Sequence, residues 1–363
     1  MPVQYSSIVE EHLAVRHSAG LFDIAHMGEF IAIGPGAGEF LNQVLTNDIR
    51  KLEIGQAQYT LMCNQKGGAV DDLYVYRLEH QKFLLIVNAS RIEADWDWLQ
   101  GQYDMAPVES GLQLRNVSDE LGAIAIQGPK VAAIIDKALP GGCLGGRLVD
   151  RISALTKNEV GIFVFEGSTL YIARTGYTGE DGFEVVAPAE ALEAIWVRLM
   201  NVGQAHGLQP AGLGARDTLR TEVCYPLYGH ELTESITPIE AGLGFFVALD
   251  KGPFPGRDIM AEQKEAGLKR RSVAFVMREK AAPPRPHYAI WSADAATGSS
   301  PVGEVTSGTR SPCLNEGIGM GFVPAALAKP GTPIAIEIRG KRFAAEVVRK
   351  PIYKPATPAS QGC

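Results

Sequence analysis

Cysteine is scarce in this chain and widely scattered. Its five residues, Cys63, Cys143, Cys224, Cys313 and Cys363, include none within 40 positions of another, so no CxxC pair exists. An odd, dispersed set reads as free thiols in a reducing compartment, not as a disulfide framework. The seven histidines form no HExxH and no Cys/His cluster of zinc-ligand spacing, so no metal centre is expected. Long apolar runs are also missing. Phe83–Val87 and Val160–Phe165 are strand-sized, far below the ~20 residues of a membrane span. The opening MPVQYSSIVEEH has no basic or apolar leader, which points to a cytoplasmic protein. Basic residues are outnumbered, 34 against 41 acidic, for a net charge of -7. That balance argues against nucleic-acid or membrane-surface partners.

What remains is the composition of a globular protein, 46% hydrophobic and 21% charged over 363 residues. At about 150 residues per domain, this length predicts two to three domains. A strand, a proline and an amphipathic helix recur as EFIAIGPGAGEFLNQVL, AIAIQGPKVAAIIDKAL and FEVVAPAEALEAIWVRLM, with each proline expected in the first helical turn. Val131, Ile134, Ile135 and Leu139 show the helical spacing. Between the first two units, YTLMCN and AVDDLYVYRL flank Gln65-Lys66-Gly67-Gly68 as a β-hairpin. FLLIVNAS forms a third strand, and Ser90 is the expected N-cap of the next helix. Such units set between strands predict an α+β fold with helices layered on sheets. Past the turn-rich KGPFPGRD and the polar EQKEAGLKRR, short strands alternate with Gly/Pro turns, predicting a small all-β domain. The domains are therefore read as 1–264, interleaving two subdomains, and 268–350, with a loose tail over 351–363.

Two features resemble sites and fail. GPGAGE follows a strand and precedes a helix, but Glu39 stands at the third glycine position and Pro35 fills the turn. No flavin or nicotinamide site is expected there. The basic set Lys264, Lys269, Arg270, Arg271, Arg278 and Lys280 reads as a solvated face, with docking of an acidic partner or a polyanionic ligand the rarer alternative.

Three segments are more polar than their surroundings require. In AVDDLYVYR, alternation sends Asp71 and Asp72 to opposite faces and puts Asp72 beside Tyr74 and Tyr76. A carboxylate among aromatics is partly desolvated, which shifts its acidity and strengthens its pull on a nearby cation. In RTGYTGEDGFEVV, glycines allow tight turns and close approach to a ligand, and Glu184 on a strand can accept paired N–H donors. In GLGARDTLRTEVCYPLYGHEL, Leu213, Leu219 and Val223 predict a helix with Arg216 and Arg220 one turn apart, Arg offering a planar fork for carboxylates. These residues by themselves support a ligand pocket and no named substrate.

MPVQYSSIVEEHLAVRHSAGLFDIAHMGE, GGAVDDLYVY, RTGYTGEDGFEVV, GLGARDTLR, YGHEL, ITPIEAGLGFFV and GEVTSGTRSPCLNEGIGMGFV, in this order, resemble the aminomethyltransferase (T-protein) family of the glycine cleavage system. The resemblance runs from Met1 to about Pro351. It implies a multidomain cloverleaf around a folate pocket, closed by a C-terminal β-barrel. It also implies tetrahydrofolate as co-substrate and a lipoyl H-protein as partner, whose aminomethyl group yields ammonia and methylenetetrahydrofolate. Matched by motif, Asp72 is the essential aspartate, with Tyr76 and Asn88 as folate contacts. Glu184 matches the pterin-holding glutamate and Arg216 the pocket arginine, with Met27, Tyr59 and Tyr177 on the wall. No protein nucleophile is implied. Members usually carry a leading segment before MPVQY, so a chain starting at Met1 is expected to be less stable than one extended upstream. Two rival readings follow the same motifs: another folate-dependent transferase, demethylase or oxidase component of the superfamily, and a non-catalytic folate-binding protein of iron–sulfur assembly. The latter's KGCxGQE motif is replaced here by ARDTLRTEVCYPLYGHEL.

Overall fold

Alternating burial along Ala69–Glu79, paired antiparallel with Ala57–Cys63, makes the expected hairpin the start of a five-stranded sheet. Its strand order is Ala57–Cys63, Ala69–Glu79, Lys82–Val87, Gly28–Ile33 and Gln113–Asn116. A seven-stranded sheet runs Leu208–Pro210, Ala19–Asp23, Leu121–Gln127, Gly182–Pro188, Ser168–Ala173, Val160–Phe165 and Cys143–Gly146. The chain thus begins in one sheet, builds the other and returns, interleaving the two. This computed structural model describes residues 1–105, 111–296 and 300–355. Most of the expected tail, 356–363 with Cys363, lies outside the described residues.

Each sheet buries helices on one face. Val131–Ala138 turns Val131, Ile134, Ile135 and Ala138 inward, the i, i+3, i+4, i+7 stripe that a covering helix needs. With Leu192–Gly203 it forms the core on the larger sheet. Ala37–Val44 and Ile92–Tyr103 do the same on the smaller sheet. A third core, including Phe22, Ile31, Leu84, Ala125 and Val186, lies where the sheets face each other. The layers therefore run helix, sheet, sheet, helix, an α+β arrangement. A closed six-stranded barrel follows, ordered Arg270–Met277, Gly317–Pro324, Gly303–Arg310, Ala289–Ser292, Pro333–Ile338 and Lys341–Val348. Among the described residues, no helix is long and apolar enough to cross a membrane, and Cys63, Cys143, Cys224 and Cys313 are free thiols.

Two local expectations are corrected. Pro35 and Pro129 lie before their helices, which start at Ala37 and Val131. Gly34 (φ +115°) and Gly128 (φ +135°) must first turn the chain back over the sheet, in a region glycine adopts without steric cost. Pro188 likewise ends its strand ahead of a short 3-10 turn. Ser90 is not an N-cap. It falls inside the 3-10 turn Ala89–Arg91, and the helix Ile92–Tyr103 begins with no side-chain cap. The nearest candidate cap, Asn88, is held elsewhere by carboxylates.

Candidate active site

A cavity of about 870 Å³ opens between the sheets and is closed by the helix Leu213–Glu222 and the segment around Phe246. That volume suits a ligand of cofactor size. All eight residues matched by motif line it: Met27, Tyr59, Asp72, Tyr76, Asn88, Tyr177, Glu184 and Arg216, whereas Arg220 is not on the wall and pairs with Asp217 and Glu231. The period of two explains the first group. Asp72, Tyr74 and Tyr76 share the cavity face of Ala69–Glu79, and Tyr59 stands opposite Tyr74 on the paired strand. Glu184 comes from the facing sheet and Arg216 from the helix.

Asp72 is held on the wall by two side-chain donors. Tyr59 donates its hydroxyl to Asp72 Oδ2 (2.8 Å), and Asn88 Nδ2 donates to Asp72 Oδ1 (3.0 Å). Burial, then the charge of Asp71, push the Asp72 carboxyl up to about 7, against the pull of these two hydrogen bonds. Asp72 therefore titrates near neutrality, where a group can both hold and release a proton. Asp71 points to the opposite face, as alternation requires, and is fully buried. It is nonetheless linked to Asp72, because Asn88 Nδ2 also donates to Asp71 Oδ1 (2.8 Å) and the Asn88 N–H to Asp71 Oδ2 (3.0 Å).

Across the cavity, Glu184 Oε2 accepts from Thr175 and, at 3.3 Å, from the Tyr76 hydroxyl. Its Oε1 has no donor among the described residues. Burial raises the Tyr76 and Tyr59 hydroxyls well above the usual tyrosine range, so both stay protonated donors at neutral pH. The Arg216 guanidinium lies 4.6 Å from the Tyr177 ring centroid, and burial lowers its pKa from the usual arginine value. Tyr177 is fixed by a bond from its hydroxyl to the Pro226 carbonyl.

The glycines of RTGYTGEDG make the expected tight turn at Gly179 (φ +84°) and also answer to packing. Gly176, Gly179 and Gly182 line the cavity, but a Cβ at Gly176 or Gly182 would strike Gln127, and one at Gly179 would strike Val223. Packing of the loop on its own sheet and helix, together with the left-handed backbone at Gly179, excludes side chains there. The sequence reading passed over Thr175, which anchors Glu184, and Phe246, whose ring packs 4.7 Å from Tyr59. Neither carries a signal that separates it from an ordinary loop residue.

It also passed over a polar cluster that only the fold assembles. His12, Glu222 and Cys313 bring their donor atoms within 4.8 Å of one another, although His12 and Cys313 are 301 positions apart. Glu222 Oε2 accepts from Arg16 Nε (3.1 Å) and Nη2 (2.8 Å), and lies 3.1 Å from His12 Nε2. Its Oε1 accepts from the Ser311 hydroxyl and the Cys313 N–H. A guanidinium bonded to the carboxylate repels a cation, so the cluster is an ion-pair hub tying two helices to the barrel. Of the basic set, Arg270 pairs with Glu240 and Arg278 with Glu346, at the exposed surface.

Residues 1–251 match the GCVT N-terminal domain family, and residues 270–354 the glycine cleavage T-protein C-terminal barrel domain. An aminomethyltransferase of Prosthecochloris aestuarii is 44% identical over 359 residues, 98% of this chain and 93% of that protein. One of Porphyromonas gingivalis is 41% identical over 362 residues, again with 98% and 93% covered. The solved structure of glycine cleavage system aminomethyltransferase T from Bartonella henselae aligns with a TM-score of 0.86 at 32% identity. That alignment covers 98% of this chain and 92% of the other.

Proposed function

This chain belongs to the glycine cleavage T-protein family, and we propose that it is an aminomethyltransferase that passes the one-carbon unit of an aminomethyl-lipoyl group on H-protein to tetrahydrofolate. The products are ammonia, the dihydrolipoyl thiol and 5,10-methylenetetrahydrofolate. The reaction breaks the C–N and C–S bonds of the aminomethyl thioether and forms two C–N bonds to folate. The two hydrogens that leave the folate nitrogens go to the sulfur and to ammonia. Because aminomethyltransferase relatives use the folate as a co-substrate, the cavity must accept a flat, polar ring system. Its wall suits one: tyrosine rings, a glutamate with an open oxygen for paired N–H donors, and an arginine.

The observation that carries this reading is Asp72, a carboxyl on the cavity wall held by Tyr59 and Asn88 and raised by burial. Departure of ammonia leaves cationic character on carbon, and a fixed carboxylate close to it lowers the barrier more than water would. The same group can accept the proton of the attacking folate nitrogen. Tyr59 and Asn88 hold the carboxylate in one orientation, Glu184 and Tyr76 bind the pterin, and Arg216 with Tyr177 shapes the wall. Met27 closes the side next to the smaller sheet. Much of the remaining acceleration is orientation of two substrates in one cavity. Reconstitution with lipoyl H-protein, glycine decarboxylase, glycine and tetrahydrofolate should yield methylenetetrahydrofolate in proportion to this protein. A system in which adding the chain leaves that yield unchanged would overturn the reading.

A further inference from the structure

Behind Asp72 lies a second carboxyl pair that the reaction does not touch. Asp95, on the helix Ile92–Tyr103, is fully buried, and neither of its oxygens receives a donor from a neutral or basic group. The helix packs on the strand Ala69–Glu79, which sets Asp95 against Asp71, itself fully buried, so that each carboxyl acts on the other's ionisation. The other charged or titratable groups facing Asp95 are Arg91, Asp72 and Tyr228. Arg91 does not pair with it, since its Nε donates to the Val70 carbonyl and its Nη2 to Glu234. Two buried carboxyls in contact cannot both ionise, so the pair must hold a proton. Asp71 accepts two N–H bonds from Asn88, which favour its charged form. Asp95 accepts none, so the proton rests on Asp95.

We propose that Asp95 is a positioning residue for Asp72: as a neutral acid it donates its proton to Asp71, and Asp71 as the carboxylate then locks the Asn88 amide that bonds Asp72. This rests on the reading of Asp72 as the catalytic carboxyl. Burial, with the adjoining Asp71 charge and hydrogen bond, pushes Asp95 up to about 10, which accords with the geometry. The chain Asp95–Asp71–Asn88–Asp72 also transmits charge. The Asp71 carboxylate raises Asp72 more than the Asn88 bond lowers it.

Infrared difference spectra and steady-state kinetics test this together. At about pH 9 the wild-type protein should show the carbonyl stretch of a protonated carboxylic acid that Asp95→Asn removes. Asp95→Ala should lower kcat by roughly 10–100-fold, the scale of a misplaced catalytic group, with KM for tetrahydrofolate little changed. It should also move the acidic limb of the kcat–pH profile downward, because an Asp71 without its donor carries less charge toward Asp72. Asp95→Asn keeps an N–H donor to Asp71 and should recover most of the rate and the wild-type limb. No infrared difference between wild type and Asp95→Asn overturns the proposal, as does an Asp95→Asn enzyme as slow as Asp95→Ala. An Asp95 band present alongside a fully active Asp72→Asn enzyme would instead remove the catalytic reading of Asp72 and leave the carboxyl pair standing.

Discussion

Tyr59 and Asp72, on adjacent strands, are joined by a 2.8 Å hydrogen bond from the phenol to Oδ2. The bond favours the ionised carboxylate, opposing burial and the charge of Asp71. Losing a bond to a charged acceptor costs about 1.5–3 kcal/mol, equivalent to roughly one to two pH units. Tyr59→Phe should therefore raise Asp72 above its value of about 7 and carry the acidic limb of the kcat profile upward. Activity at neutral pH falls, and much of it returns in alkaline buffer. A limb that stays in place would mean that Asp72 does not set the pH dependence.

Asp72→Asn keeps the shape of the side chain and removes the charge. Turnover should fall on the order of 10²–10⁴-fold, the range for losing an acid–base or electrostatic group. Tetrahydrofolate affinity should stay within about tenfold, because Glu184 and the tyrosines still line the wall. Stopped-flow turnover with binding measured by calorimetry separates the two. Parallel losses in both would make Asp72 a binding group.

Glu184→Ala addresses binding. Removing the acceptor for paired pterin donors should weaken tetrahydrofolate by roughly 1–3 kcal/mol, with a smaller effect on kcat. Calorimetric titration reads it directly. Unchanged affinity would reduce Glu184 to a partner of Thr175 and Tyr76.

What could be read from the sequence was local or periodic. The hairpin and the common face of Asp72, Tyr74 and Tyr76 follow from a period of two that needs no tertiary information. The strand–helix units are legible because their helices carry a stripe spaced for a covering face. Ser90 misled because a good capping residue was present while the backbone took a 3-10 turn first. Asp95 was invisible for a related reason: an aspartate in IEADWDWL looks like the solvent side of a helix, and only the fold sets it against Asp71. Asn88 shows the limit of face arguments. Alternation separates Asp71 from Asp72, yet an amide at the end of the neighbouring strand reaches both. The hub of His12, Arg16, Glu222 and Ser311 joins residues from both ends of the chain, which no spacing rule connects.

That hub gives a stability prediction with a defined pH window. Burial alone would raise Glu222, but the hydrogen bonds and charge of His12, the Ser311 hydroxyl and the Arg16 charge outweigh it and bring the carboxyl down to about 2. A carboxyl depressed in the folded state contributes stability that is full above its unfolded value, near 4.3, and is lost as pH falls toward 2. Glu222→Gln leaves the buried Arg16 guanidinium with Glu180, 2.9 Å away, as its remaining counter-charge. Breaking a buried pair costs about 3–5 kcal/mol, and the Glu180 bond places this loss at the lower end. Urea denaturation at neutral pH should show that loss, and the variant should lack the acid-side decline attributable to Glu222. The gap between the two proteins should then narrow below about pH 4, as the wild type takes up the proton that the variant cannot. Equal stability at neutral pH would mean that the Glu222 charge does not hold the helices to the barrel.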